Sequence, residues 1–136
     1  MLETGSSYKK VIVADEETIQ KIAEVSGDRN PIHLDEGYAK QSRFGRRIAH
    51  GLFCINAISM ILGNYLPGRG TILLSQNFRY IQPVYIGDAI EVSVTVTDCL
   101  PGDKYILRTL CKNEKGETVL DGETTVKWEA AYREGD

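Results

Sequence analysis

Between Ser26 and Gly51 the chain reads SGDRNPIHLDEGYAKQSRFGRRIAHG and runs directly into an apolar stretch, Leu52 to Leu62. Near its start stand a carboxylate (Asp28), an amide (Asn30) and an imidazole (His33). A carboxylate and an imidazole that converge can move protons at a pH near neutrality, the usual basis of general acid/base catalysis. Pro31 has no N–H to donate and pushes Asn30 toward an extended conformation, so Asp28 and His33 cannot share one continuous helix and must meet through a loop. Taken singly, each residue also has a plainer reading: Asp28 and Asn30 as helix caps or turn formers, His33 as a satisfied structural histidine. A loop this polar beside a core points to an active site.

The second end of the stretch delivers His50 and Gly51 to the apolar run. A helix starting at Gly51 leaves its first N–H groups without intrahelical acceptors, able to donate to a developing negative charge, and a glycine lets a ligand approach the backbone closely. The ordinary alternative is a glycine that only permits tight packing. His50 is the weaker histidine: its backbone serves the helix entrance and its ring stands outside the acid/base pair.

The elements that must hold these groups follow from the flanking patterns. Asp15 fits an N-cap, Glu16 and Glu17 suit the positive end of the helix dipole, and Ile19, Ile22 and Ala23 repeat at helical spacing. Gly27 fits the stop, so a first helix ends just before Asp28. A short helix from Asp35 to Gln41, with Tyr38 and Ala39 turned inward, would clamp the loop. Leu52 to Leu62, broken only by Asn56 and Ser59, reads as a core helix buried on most faces.

Tyr8 to Val13 reads as a short strand, and Thr71 to Tyr80 as the first long one, reached through Gly63 and Leu66-Pro67-Gly68. Beyond a bend at Pro83 and Gly87, Val92, Val94 and Val96 alternate with Ser93, Thr95 and Thr97, the period of a sheet with one covered face. Tyr105 to Lys112 and Thr118 to Trp128 form a further pair across a turn at 113–116. Helices early and strands late give an α+β domain. Residues 1–136 read as a single domain, with 1–5 and 133–136 frayed.

At 136 residues with 42% hydrophobic content, the chain is long enough for one core. A formal net charge of -3 argues against a generic nucleic-acid binder. Cys54, Cys99 and Cys111 are odd in number and lack metal-ligand spacing, which argues against a disulfide framework or a zinc site and favours a reducing interior. The polar stretch after Met1 carries no apolar signal, and the apolar run is too short to span a bilayer. The expectation is a cytoplasmic protein bound to no membrane.

The string Gly27-Asp28-Arg29-Asn30-Pro31-Ile32-His33, with Ala39 six residues on, resembles the signature of the MaoC-like, (R)-specific enoyl-CoA hydratase family, the hydratase 2 type. The resemblance continues through Arg47-Ile48-Ala49-His50-Gly51, Leu66-Pro67-Gly68-Arg69-Gly70, Gln76 and Pro83-Val84-Tyr85-Ile86-Gly87-Asp88, most of the chain. It implies a hot-dog fold, a long central helix wrapped by a curved antiparallel sheet. It further implies reversible syn addition of water to trans-2-enoyl thioesters, presented by coenzyme A or acyl carrier protein.

On that resemblance Asp28 and His33 would hold one water between them, Gly51 N–H would bind the thioester oxygen, and Asn30 would orient the loop, with Ser26 a structural neighbour. Ser59, Leu62 and Thr125 match positions that line the acyl pocket, for short and medium chains. Arg43, Arg46 and Arg47 are candidates for the carrier's phosphates, or else belong to a solvated turn. The chemistry needs no metal and no other cofactor. Small size, sheet edges and apolar surface imply a homodimer. Two other functions remain open: a hot-dog acyl-CoA thioesterase, which the Asp28…His33 loop disfavours, and a non-catalytic acyl-thioester-binding subunit.

Overall fold

A computed structural model describes residues 2–129. The sheet is built from β1 (Ser7–Val13), β2 (Ile72–Tyr80), β3 (Ala89–Leu100), β4 (Lys104–Lys112) and β5 (Thr118–Lys127). They lie antiparallel in the order β1-β3-β4-β5-β2. Register places the alternating apolar residues on one face: Val92 lies opposite Cys111 and Val96 opposite Leu107, while Cys111 lies opposite Leu120 and Tyr105 opposite Val126. At Gly122 the edge strand β2 comes so close that a Cβ would collide with the Asn77 carbonyl, so only glycine permits the approach.

Among the described residues the helices are α1 (Glu16–Ser26), α2 (Pro31–Leu34), α3 (Glu36–Lys40) and α4 (Leu52–Asn64). In α4, Phe53, Cys54, Ala57, Ile58, Ile61 and Leu62 are buried, a stripe wide enough to cover the sheet's inner face, where Ile90, Val92, Val94, Leu107, Leu120 and Val126 join it in one core. This is the α+β, hot-dog arrangement, with a helix packed into a curled antiparallel sheet. The opposite stripe, Leu52, Asn56, Ser59 and Gly63, is exposed, so the helix is buried on fewer faces than its composition led us to expect.

The local signals before the site behave as their chemistry dictates. Asp15 caps α1 by accepting from Thr18 N–H at 2.8 Å and Gly27 closes it in the left-handed region at φ 77. The short α3 buries Ala39 fully but leaves Tyr38 54% exposed, so the clamp is Ala39 alone. Residues 2–5, expected to fray, are ordered: Gly5 N–H donates to Val96 O at 2.8 Å and Leu2 packs against the core. The expected frayed tail, 133–136, lies outside the described residues.

Glu16 does more than complement a helix dipole. Its two carboxylate oxygens accept from Arg47 Nη1 and Nη2 at 2.7 and 2.8 Å, while Arg47 Nε donates to the backbone carbonyl of His33 at 2.8 Å. The first turn of α1 is thereby tied to the loop through a fork-on-fork pair, of a geometry that only arginine offers. The pair, with a second bond from Gln20, holds the Glu16 carboxyl at a pKa of about 2, against about 4.3 for a free glutamate. Its contribution is therefore complete above about pH 4.3 and is lost as pH falls from there toward 2.

Glu16 is half exposed, so solvent screening reduces the pair to about 1 kcal/mol. Denaturant titrations of Glu16→Gln should show a loss of about that size at pH 7, with the gap to wild type closing near pH 2.

Candidate active site

Each atom of the Asp28–His33 pair has a fixed role. Ser26 Oγ, anchored on Ile22 O, accepts from Asp28 N–H at 3.0 Å. Asp28 Oδ1 accepts from Asn30 N–H at 3.1 Å, and Asn30 Oδ1 caps α2 by accepting from Ile32 N–H at 3.2 Å. Pro31 opens that helix, where a missing N–H costs nothing. These short bonds wind the chain so that Asp28 Oδ2 lies 4.0 Å from His33 Nε2. Asn30 thus caps α2, and the Ser26 hydroxyl accepts from the Asp28 backbone.

His33 is 8% exposed and its Nδ1 lies 2.8 Å from the Ile48 carbonyl. A carbonyl only accepts, so Nδ1 carries the proton and Nε2 presents a lone pair. Burial, the largest effect, and the neighbouring His50 push the His33 pKa down, against the bond to Ile48 and the charge of Asp28, which push it up. The ring is neutral at pH 7. Two acceptors, Nε2 and Oδ2, then face each other too far apart for a direct bond, and a water donating one O–H to each would turn its lone pairs outward.

His50 is placed differently from its sequence reading. It is 3% exposed, its Nε2 donates to the Asp28 carbonyl at 3.0 Å, and its ring stacks on His33 with centroids 4.0 Å apart. The ring, and not only the backbone, supports the pair. Its buried Nδ1 has no partner among the described residues. Asp28, His33 and His50 bring ligand-type atoms within 4.8 Å of one another, a convergence that sequence spacing did not show. One tetrahedral ion with bonds of about 2.1 Å asks for neighbours about 3.4 Å apart, so the trio would have to contract to hold a metal.

His33 forms part of the wall of a pocket of about 280 Å³ with Gly51, Cys54, Tyr80, Val84 and Val119. Gly51 stands at the head of α4 with no side-chain cap, and among the described residues its N–H donates to no backbone carbonyl. A Cβ at Gly51 would meet the Tyr80 ring at 3.0–3.3 Å. The glycine therefore makes room for Tyr80 as well as for a ligand.

The acyl-pocket candidates fall elsewhere. Ser59 lies on the exposed stripe of α4 and Leu62 is core, 4% exposed. Thr125 alternates with buried Thr124 and Val126 and so stands on the sheet face away from the helix. None of the three lines the pocket, whose apolar wall includes Cys54, Val84 and Val119 instead. Two of the arginines form no ion pair among the described residues: Arg43 lines the pocket, and Arg46 stacks over the Tyr85 ring at 3.9 Å on an adjoining recess that shares Gln82 and Pro83. Arg47 is excluded as a phosphate ligand, because its guanidinium is bound by Glu16 and its side chain is only 12% exposed.

A helix packed on an antiparallel sheet, with His33 on the pocket wall and the Asp28 carboxylate 4.0 Å from its ring, defines a class of protein, and the comparisons place the chain within it. Residues 3–118 match the MaoC like domain, and the chain belongs to that family. It is 48% identical over 106 residues to the 3-hydroxybutyryl-CoA dehydratase of Methylorubrum extorquens, covering 77% of this chain and 67% of that protein. It is 39% identical over 126 residues to the (R)-specific enoyl-CoA hydratase of Rhodospirillum rubrum, covering 92% and 87%. Among solved structures, the (R)-hydratase from A. caviae superposes with a TM-score of 0.92 at 32% identity, over 94% of this chain and 98% of that one.

A buried His33 whose pKa is pushed down makes a direct prediction. In an NMR pH titration its ring should protonate below the ordinary value near 6.5, and Asp28→Asn should lower that midpoint further by removing a favourable charge. A midpoint at or above 6.5 in the wild type would contradict the environment described for the ring.

Proposed function

We propose that the chain is an (R)-specific enoyl-CoA hydratase, run in reverse as an (R)-3-hydroxyacyl-CoA dehydratase, that is, a hydro-lyase acting on short to medium trans-2-enoyl thioesters. The observation that carries this reading is the 4.0 Å gap between two proton acceptors, His33 Nε2 and Asp28 Oδ2. A water held there has its lone pairs directed away from both. As its oxygen bonds to the β-carbon, one O–H bond breaks and the pair takes the proton; the pair then delivers a proton to the α-carbon from the same side. Addition is syn for that reason. Charge growing on the thioester oxygen is met by Gly51 N–H at the positive end of α4.

Arg43 and Arg46 are the proposed contacts for the phosphates of coenzyme A or of a carrier protein's prosthetic group. The pocket volume, near the lower end of the roughly 300–1,000 Å³ of small-molecule sites, suits short acyl chains. The free thiols Cys54, Cys99 and Cys111 accord with a reducing, cytoplasmic setting. Among the described residues no helix is long and apolar enough to cross a membrane.

A homodimer belongs to the same proposal. The outermost strand β2 exposes Ile72, Leu73 and Leu74 at 54%, 53% and 46%, an unpaired apolar edge of the kind that a second copy covers. Light scattering at micromolar concentration should give twice the monomer mass, and a monomer there would remove this part of the reading.

Crotonyl-CoA separates the functions. Loss of enoyl absorbance without free thiol, giving the (R)-3-hydroxy product, is expected; free thiol would mean a thioesterase, and no reaction a binding subunit. Asp28→Asn and His33→Gln should each lower the rate by roughly a hundred- to ten-thousand-fold while staying folded. The double variant should fall far short of the product of the two losses, since both groups act on one water. Full activity in folded Asp28→Asn would refute the mechanism.

A further inference from the structure

Tyr80 is the last residue of β2 and lies opposite buried Leu120 in the register, so its side chain is on the helix side of the sheet. There it forms part of the pocket wall beside Gly51 and Cys54. Its hydroxyl donates to the Gly51 carbonyl at 3.1 Å, and its ring occupies the space that a Cβ on residue 51 would need. A large exposed aromatic, 57% accessible, is thus hydrogen-bonded to the very peptide unit that follows the Gly51 N–H.

We propose that Tyr80 is both the positioning residue for Gly51 and the wall that limits acyl length, an inference that rests on the hydratase reading. Two consequences of one contact support it. The bond to the Gly51 carbonyl fixes the rotation of residue 51 at the head of α4, and α4 has no side-chain cap to do so. The ring closes one side of a pocket whose apolar wall also includes Val84 and Val119, both buried and packed into the core. Tyr80, 57% accessible, is a wall that can be removed without opening the core. Burial at the pocket wall raises the Tyr80 pKa, so the phenol keeps the proton that it donates.

Two substitutions divide the roles. Tyr80→Phe keeps the wall and removes the bond: kcat for crotonyl-CoA should fall about three- to tenfold with KM and chain-length ranking unchanged. Tyr80→Ala removes both: the kcat/KM ratio of trans-2-octenoyl-CoA to crotonyl-CoA should rise about tenfold or more. If Tyr80→Ala does not fold, Tyr80→Leu gives the same comparison with a smaller rise. An unchanged ratio in a folded variant overturns the wall, and an unchanged kcat in Tyr80→Phe overturns the positioning role. Calorimetric binding of butyryl-CoA and octanoyl-CoA to the same proteins reads the wall without turnover. If the wild type hydrates nothing, the hydratase reading fails, while a shift toward octanoyl-CoA in Tyr80→Ala would still support the wall and no shift would refute it.

Discussion

One hydrogen bond sets the character of the site: His33 Nδ1–H to the Ile48 carbonyl, 2.8 Å. It fixes the tautomer, and with it the lone pair on Nε2. The carbonyl that does this is itself built into the fold. Ile48 bridges Tyr85, Ile48 N–H donates to Ile32 O and Ala49 N–H donates to Val84 O at 2.7 Å. The segment that precedes α4 is therefore laid against the 84–85 backbone like a short extra strand, and the acceptor for His33 is no looser than the sheet. If Ile48 were to swing away, the ring would lose its orientation and Nε2 its place opposite Asp28 Oδ2.

The protein handles charge at this site by separating what must stay neutral from what must stay charged. His33 and His50 are stacked and buried, and burial together with the neighbouring His50 disfavours the charged form of His33. The positive charge of Arg47, which approaches the same loop, is matched by Glu16 and reaches His33 only through the backbone carbonyl. The loop is thereby held by a cation that does not face the Nε2 lone pair. Asp28 is left as the near charge beside Nε2, and half of its side chain is in water.

How much of this could be read from the sequence depends on whether the information was local. The α1 cap at Asp15 and the stop at Gly27 rest on contacts within four residues, and the sequence reading places them well; the short helix opening at Pro31 reads as loop in the sequence, although the Asx bonds of Asp28 and Asn30 that build it are equally local. The convergence of Asp28 and His33 followed from the proline between them. Long-range partners were not legible. Nothing in the spacing says that Arg47 meets Glu16 thirty-one residues earlier, or that the His50 ring reaches back to Asp28 O. Strand faces are a further case: they alternate every residue, and Thr125, matched to an acyl-pocket position by resemblance, stands on the outer one. Thr124, next to it, is the inward one.

The edge strand joins the two remaining features of the molecule. Ile72, Leu73 and Leu74 expose apolar area at one end of β2, and Tyr80 stands at the other end over Gly51. Nine residues at about 3.3 Å each separate these ends by roughly 26 Å, and the same backbone carries both. Its inner side is paired to β5 through Leu120 and Gly122, so its outer N–H and C=O groups are what a second copy would use. Ordering that edge would also order the residue that shapes the pocket, because a paired strand has little freedom to twist at its last residue. β2 thus carries at its two ends an exposed apolar edge and the residue that abuts Gly51, while Asp28 follows the end of α1 and His33 lies in α2.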